Sequence, residues 1–333
     1  MNILVLGGAG FVGSHYVRTM LRGGYVGFDD ARVTVLDKLT YAGNLANLAA
    51  VAASPRCRFV RGDICDRALL AAVVPGHDIV INFAAETHVD RSIADASDFA
   101  ESNTVGVEAV LHACLEHGVR RVVQVSTDEV YGSTTSGSWS EAAMLAPNSP
   151  YAATKAAGDL IAGAYARTHG LNVSITRCSN TYGPYQFPEK VIPLFVTNLL
   201  DGIKVPLYGD GSNVRGWIHV NDHCSGIQLV MERGLPGRVY HINGDAELTN
   251  RELTQAILDQ CGAGWDMVTQ VRDRKGHDYR YCLDDSLLRN MGYAPAVEFS
   301  EGLRRTVQWY RENRSWWEPL KSQPVPDLLN HLL

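Results

Sequence analysis

Short-spaced cysteines are missing from this chain. Its seven cysteines stand at 57, 65, 114, 178, 224, 261 and 282, an odd number with no Cys-x-x-Cys. That excludes a small disulfide scaffold and a cysteine zinc site, and it suits reduced, mostly buried thiols in a cytosol. Long apolar runs are missing too. Met1–Leu6 runs straight into glycine, too short for the core of a secretory signal. No stretch reaches the about 18 apolar residues that a membrane helix needs. Positive charge is in short supply: 30 basic against 36 acidic residues give a net charge of −6. Duplex nucleic acid and anionic lipid both need a cationic footprint, so neither is expected as a partner. An anionic small molecule stays open, because a few well-placed Arg or Lys residues suffice. With 31 glycines and 13 prolines in 333 residues, a collagen-like or low-complexity chain is excluded. What is plentiful is apolar side chain, at 46%. A chain of this size can bury about three quarters of its unfolded surface, and its length gives a prior of about two domains.

The first 180 residues alternate strand-like and helix-like pieces. Strands are predicted over Ile3–Leu6, Val33–Leu36, Arg58–Val60, Ile79–Phe83, Val122–Val125 and Val173–Thr176. Helical spacing marks Ser14–Arg22, the stretch with Val107, Val110, Leu111, Cys114 and Leu115, and Ala152–His169. Buried strands alternating with helices imply an α/β fold with a doubly wound parallel sheet of Rossmann type. After Tyr182, prolines at 184, 188, 193 and 206 break the alternation, and later helices are predicted over Arg251–Cys261 and Gly302–Arg311. The division expected is a first domain of 1–181 and 214–241 and a smaller mixed α/β substrate domain of 182–213 and 242–333.

Gly7-Gly8-Ala9-Gly10-Phe11-Val12-Gly13 lies between the first strand and the first helix. It satisfies Gly-x-Gly-x-x-Gly at 8, 10 and 13 and repeats glycine at 7, 10 and 13. Such a turn lets backbone N–H groups and a helix N-terminus approach a pyrophosphate. The bland alternative is a glycine-rich structural turn. Asp37 ends the second strand, where a carboxylate accepts from adenosine ribose hydroxyls and repels a 2′-phosphate, so NAD is favoured over NADP. Lys38 beside it works the other way. Asp63-Ile64 and Phe83-Ala84-Ala85-Glu86-Thr87 follow strands three and four, at the strand ends where ligands bind in this architecture. Asp63 could equally cap its loop.

Tyr151 and Lys155 lie four apart on one helical face. A phenol of ordinary pKa near about 10 is a poor base at neutral pH, but a nearby ammonium and a nicotinamide cation favour its phenolate. Tyr151 could then take a hydroxyl proton as hydride leaves, with Lys155 also holding the nicotinamide ribose. The alternative is an exposed helix pair. Strand five runs into Ser126-Thr127-Asp128-Glu129. A hydroxyl there could share the oxygen that Tyr151 attacks. Two adjacent carboxylates make sense if one is protonated and acts as an acid while the other acts as a base. Otherwise they are solvated loop acids.

These residues together resemble the extended short-chain dehydrogenase/reductase superfamily and, more narrowly, the dTDP-glucose 4,6-dehydratases. The matching stretches are GGAGFVGSH (7–15), LDKLTYAGN (36–44), GDI (62–64), AAETHVDRSI (84–93), STDEVYG (126–132), SPYAATKAAGD (149–159), RCSNTYGPYQFPEKVIPLF (177–195), LYGDGSNVRGWIHVNDH (207–223) and DRKGHD (273–278). Thr-Asp-Glu is the most specific of them, since epimerases of the superfamily lack that acid pair. ENRSWWEPL (312–320) is similar to the forms serving deoxysugar pathways of actinobacterial natural products.

The resemblance implies catalytic Thr127, Asp128, Glu129, Tyr151 and Lys155. It implies NAD contacts from Gly7, Gly10, Phe11, Val12, Gly13, Asp37, Lys38, Leu39, Thr40, Asp63, Ile64, Phe83, Ala84, Ala85, Thr87, Ser102, Ser126 and Thr181, besides Tyr151 and Lys155. For the sugar nucleotide it implies Thr87, Thr127, Asn180, Lys190, Val191, Pro206, Tyr208, Arg215, Asn250, Arg274, His277 and Asp278. Lys190, Arg215 and Arg274 could offset its diphosphate. Lys190 could also be surface charge, and Asn250 also lies in a capping box, Thr249-Asn-Arg-Glu252. The chain departs from the family at Thr181, where a second Asn is usual, and at Gly216, where an Asp usually follows the phosphate-binding Arg. The first could alter a nicotinamide contact, the second loosen Arg215. No metal is expected: His219, Asp222 and His223 offer only three ligands, and Asp222 is expected to cap a helix. Trp309, Trp316 and Trp317 are expected in the core or between subunits. A cytoplasmic homodimer is expected by family analogy. The competing readings are a 4-epimerase or UDP-glucuronate decarboxylase on the same fold, and a silent NAD-binding scaffold.

Overall fold

A computed structural model describes residues 1–321; the last residues of the expected second domain, 322–333, lie outside it. The strands are β1 (Asn2–Leu6), β2 (Arg32–Asp37), β3 (Cys57–Arg61), β4 (Ile79–Asn82), β5 (Arg121–Thr127), β6 (Val173–Cys178), β7 (Asn180–Tyr182), β8 (Val205–Tyr208), β9 (Val214–His219), β10 (Val239–Ile242), β11 (Ala246–Thr249) and β12 (Val268–Val271). The helices are α1 (Phe11–Leu21), α2 (Arg67–Val73), α3 (Val89–Ala94), α4 (Ser97–Ala100), α5 (Val107–Glu116), α6 (Pro150–His169), α7 (Val191–Leu200), α8 (Val220–Arg233), α9 (Asn250–Cys261), α10 (Ser286–Asn290), α11 (Phe299–Glu312) and α12 (Arg314–Lys321).

Seven strands form one parallel sheet in the order β10-β6-β5-β4-β1-β2-β3. The chain winds outward from β1 through β2 to β3, then restarts at β4 and winds the other way. The crevice between β1 and β4 is therefore the switch point, where this architecture binds ligands. Register brings the strand ends level: Leu6 pairs with Leu36 and Asn82, and Thr127 with Cys178. The glycine turn, Asp37, Phe83, Thr127 and Cys178 thus share one edge of the sheet.

Both faces of the sheet are covered. Tyr16, Val17 and Met20 of α1 pack with Ile227 and Val230 of α8 against one face. Leu70 of α2, Val110 and Leu111 of α5 and Ala162 of α6 pack against the other. That double burial is why the strands read as continuous apolar runs. A smaller unit has its own core around Tyr182, Phe195, Trp217, Ile257, Tyr310 and Trp317. It carries a three-stranded sheet, β11-β9-β7, and a parallel pair, β12-β8. The return to the large sheet, expected from 214, is made by α8 and β10; Val214–His219 instead lies between strands of the small sheet.

Local differences from the predicted elements have local causes. Helix α1 starts at Phe11, not Ser14, because Gly10 and Gly13 belong to its first turn. Helix α6 starts at Pro150, capped by Ser149, whose Oγ accepts from the Ala152 N–H at 3.1 Å. Glu101–Gly106 forms a π-helical turn ahead of α5, which periodicity does not mark. The capping box at Thr249 and Glu252 forms as read. Asp222 does not cap α8; His219 does, accepting from the Asn221 N–H, while the Asp222 carboxylate accepts from Ala296 and Val297 N–H at 3.0 Å each. All seven cysteines are free, but only Cys114 and Cys224 are buried, so the expectation of mostly buried thiols fails for the other five. Among the described residues no helix is long and apolar enough to cross a membrane.

Trp317 fills the small core, fully buried, with its indole N–H donating to the Tyr310 carbonyl at 2.7 Å. Trp309 and Trp316 pack beside it and around Tyr185. Trp317→Ala should therefore destabilise the smaller unit by about 3 to 5 kcal/mol. Urea unfolding measures this; a loss below about 1 kcal/mol would show that α12 contributes little to that core.

Candidate active site

The glycine turn leaves no room for side chains. Gly7 has φ +72, and a Cβ there would stand 2.6 Å from the Ala84 nitrogen; one at Gly13 would stand 2.4 Å from the Gly7 carbonyl oxygen. Close contact between the turn and the chain after β4 is thus what glycine and the paired alanines make possible. The N-terminus of α1 has no capping side chain and no acid in its first turn, so its N–H groups stay available to an anion. Asp37 fastens the turn, accepting from the Ala9 N–H at 2.9 Å and the Leu39 N–H at 2.8 Å. Lys38 pairs with Asp63 at 2.6 Å, and Asp63 also accepts from the Cys65 N–H, so its loop-capping reading and its place in the site both hold.

These residues line one groove. Of the residues expected to touch a dinucleotide, Gly7, Gly10, Asp37, Lys38, Thr40, Asp63, Ile64, Phe83, Ala84, Ala85 and Ser102 line it. Phe11, Val12, Gly13, Leu39, Thr87, Ser126, Tyr151, Lys155 and Thr181 do not. Gly13 shapes the turn from behind, and Leu39, at φ +58, takes part through its N–H. Leu36, Ala42, Gly43 and Gly62 line the groove without having been named as contacts, and so does Glu86, from the segment expected at the end of strand four. Gly43 carried a signal: a Cβ there would stand 2.7 Å from the Asp37 carboxylate.

At the end of β5 Asp128 is buried and Glu129 half-buried. Asp128 is 3% exposed; burial, helped by the charge of Glu129, pushes its pKa up to about 8. Its Oδ1 accepts from the Thr127 hydroxyl at 3.3 Å. Thr127 in turn caps the following turn by accepting from the Glu129 N–H. Burial also raises Glu129, but Arg215, Lys190 and Arg274 pull it back toward the ionised form. The two carboxyls are therefore unequal, and the reading of them as solvated loop acids fails.

Tyr151 is 7% exposed on α6 and lies within the electrostatic reach of both acids. Burial first, then Glu129, hold its phenol well above the ordinary value, with the Thr127 side chain opposing. The expected pull of Lys155 on the phenol is not made within the protein: its ammonium donates to the Val125 carbonyl at 2.7 Å.

The smaller unit supplies the cationic side. Lys190, just before Val191 opens α7, donates to the Thr87 carbonyl at 2.7 Å, so it is not surface charge. Arg215 on β9 donates to the Val214, Tyr279 and Asp278 carbonyls and lies over the Tyr281 ring. Arg274 is held by both oxygens of Asp90 and lies over Tyr208, so much of its charge is already met. His277 binds Asp273, and Asp278 accepts from the Tyr281 hydroxyl and the Asn148 amide. Asn180 opens β7, Pro206 sits on β8, and Asn250 is the first residue of α9, its N–H donating to the Asn213 carbonyl.

Comparison with known proteins meets this geometry. A family model described as GDP-mannose 4,6 dehydratase matches residues 4–306. The dTDP-glucose 4,6-dehydratases of Streptomyces niveus and Streptomyces antibioticus are 59% and 58% identical, over 97% and 98% of this chain and 96% and 97% of theirs. The crystal structure of DesIV, a dTDP-glucose 4,6-dehydratase from Streptomyces venezuelae solved with NAD bound, superposes with a TM-score of 0.94 at 62% identity, over 96% of this chain and all of that one. The chain belongs to the dTDP-glucose 4,6-dehydratase family.

Two departures from the family pattern now have surroundings. Thr181 hydrogen-bonds His223 Nδ1 at 2.9 Å, so its hydroxyl is committed to α8. Gly216 does not loosen Arg215, which three carbonyls and the Tyr281 ring hold. A Cβ at 216 would stand 3.1 Å from Asn243 Oδ1 and 3.2 Å from Ser179 Cβ, so glycine fits a tight site. Arg91 and Glu189 were missed. They pair at 3.1 Å, with Arg91 over the Tyr41 ring, and nothing in the local spacing announced a contact between residues so far apart. Among the described residues no group of three or more His, Cys, Asp or Glu side chains is placed to hold a metal ion.

Gly13→Ala should abolish tight dinucleotide binding, because its methyl meets the Gly7 carbonyl. The expected result is protein that folds but purifies without cofactor and binds added NAD at least about tenfold more weakly by calorimetry. Unchanged affinity would show that the turn does not form the cradle.

Proposed function

We propose that the protein converts dTDP-glucose to dTDP-4-keto-6-deoxyglucose and water, using NAD that is regenerated in each cycle. The observation that carries this is the unequal pair beside Tyr151, a buried Asp128 and a half-buried Glu129 that three cations face. A 4-epimerase or a simple dehydrogenase needs no such pair; an elimination needs an acid and a base together.

The glycine cradle, the open end of α1 and Asp37 fit NAD. When bound, NAD accepts the C4 hydride, returns it to C6, and brings a positive charge that works against burial of the Tyr151 phenol. Tyr151 takes the C4 hydroxyl proton, with Thr127 orienting that oxygen. The C4 ketone acidifies C5. Glu129, drawn toward its ionised form by three cations, removes the C5 proton. Asp128, protonated at neutral pH, gives its proton to the departing C6 hydroxyl, and water leaves across C5–C6. Reprotonation of C5 completes the product. Lys155 holds the nicotinamide ribose, while Lys190 and Arg215, with Arg274, face the diphosphate.

In this reading the cofactor lies in the domain of 1–181 and 214–241, and the sugar nucleotide is gripped by 182–213 and 242–333. The protein serves deoxysugar biosynthesis in the cytoplasm and works as a homodimer. Leu160 of α6 and Val105 of the neighbouring π-helical turn support the pairing, being 62% and 52% exposed apolar side chains on segments that pack together.

The direct test is mass spectrometry and NMR of dTDP-glucose incubated with the protein in deuterated water. Loss of one water, a new C6 methyl and one deuterium at C5 is the expected result. Unchanged mass with inverted C4 would replace the dehydratase reading by an epimerase. A second measurement isolates Asp128. Its acid role is present while it is protonated and is lost as pH rises through about 8, so elimination should slow above that pH. Asp128→Asn should slow elimination at every pH while sparing C4 oxidation, so NADH accumulates on the enzyme in a single turnover. If bound NADH never appears, Asp128 is not the acid.

A further inference from the structure

Behind the acid pair lies a second buried charge network that the reaction above does not use. Helix α6 carries Tyr151, Lys155 and Asp159 at successive four-residue steps, all buried. Asp159 is 2% exposed, yet it is an acid deep in the fold. One oxygen accepts from Arg177 Nε on β6 at 2.8 Å. The other is buried without a well-formed hydrogen bond, although the Ser126 hydroxyl lies close enough to favour the charged carboxylate. Arg177 also donates to the Tyr131 hydroxyl; Tyr131 donates to His241 Nε2 at 2.6 Å, and His241 Nδ1 donates to the Asp284 carbonyl at 2.8 Å.

We propose that Asp159 is a positioning residue of the reaction: its carboxylate is the counter-charge that keeps Lys155 an ammonium behind Tyr151. This rests on the proposed C4 oxidation by Tyr151. Lys155 forms no ion pair in contact; its ammonium is tied to the Val125 carbonyl alone. Burial without a counter-charge turns an ammonium neutral. Two titratable groups act on its charge, Asp159 on its own helix and Cys178 on β6, and the network beyond them is neutral apart from Arg177. Cys178 on β6 is pushed up to about 12 and carries no charge at neutral pH. Tyr131 is raised by burial, and His241 falls to about 4, so both are neutral. Before NAD binds, burial keeps Tyr151 a neutral phenol. Arg177 is the other cation and would repel Lys155. Burial lowers the Lys155 pKa, and Asp159 is the largest charge opposing that loss. Arg177 in turn draws Asp159 toward the ionised form against its own burial. A buried carboxylate one helical turn from Lys155, paired with Arg177 rather than with the ammonium, fits a role acting through the field rather than through contact.

The experiment compares the Asp128→Asn protein with Asp128→Asn/Asp159→Asn, reading bound NADH formed in one turnover of dTDP-glucose as a function of pH. The amide introduced by Asp159→Asn keeps the shape and a carbonyl for Arg177 but removes the charge. The expected result is that the alkaline limb of the oxidation rate moves down by about one pH unit or more. A rate that falls by one factor at all pH values, with the limb unmoved, shows a merely structural residue and overturns the inference. Absence of NADH in Asp128→Asn itself overturns the underlying reading instead. Should the double variant not fold, the wild-type holoenzyme with 13C-labelled lysine decides by NMR titration. Lys155 staying an ammonium past about pH 9 supports the counter-charge; a midpoint below about pH 8 overturns it.

Discussion

Removal of water from charged groups at one edge of the sheet is the constraint on which this structure turns. Asp128, Glu129, Lys155, Asp159 and Arg177 stand within a few turns of the ends of β5 and β6. Each is expensive to bury alone. They are tolerated because each meets an opposite charge or sheds its own. Asp128 sheds its charge by holding a proton, its pKa raised to about 8. Burial raises Glu129 as well, but three cations oppose that rise. Asp159 and Arg177 meet in a hydrogen-bonded ion pair. In the proposed reaction the same desolvation that threatens the fold sorts three carboxyl groups into acid, base and counter-ion.

The fold places those groups rather than merely hosting them. Parallel register levels the strand ends, so the glycine turn after β1 and the acids after β5 face the same crevice. The cationic side arrives from a separate core, from the start of α7, from β9 and from the loop after β12. Their arrival is what makes Glu129 unlike Asp128. The two units are tied together away from the site as well, since Trp316 donates to Asn47 at 3.0 Å and Arg18 lies over the Tyr185 ring at 4.1 Å. A shift between them would change the field on the acids as directly as a substitution.

Much of this was legible in the residues. The glycine turn could be read because a tight turn against a neighbouring strand excludes Cβ at fixed positions. Tyr151 and Lys155 could be read because helical spacing puts them on one face. Other features resisted. Asp222 read as a helix cap, yet its carboxylate holds the chain before α11, 74 residues onward. Arg91 and Glu189 gave no local sign of pairing. Thr181 and Gly216 read as losses; in place, one is bound to His223 and the other sits in a tight site between Asn243 and Ser179.

The amino-acid sequence by itself determined the parallel α/β plan and the glycine turn, because these depend on periodicity and on steric limits within a few residues; the candidate reacting groups came from the family resemblance. Only the tertiary structure decided that Asp128 is buried while three cations face Glu129, and that the Lys155 ammonium meets the Val125 carbonyl. Burial and Coulomb interactions act through space, across strands and between units, and no local pattern of residues encodes that distance.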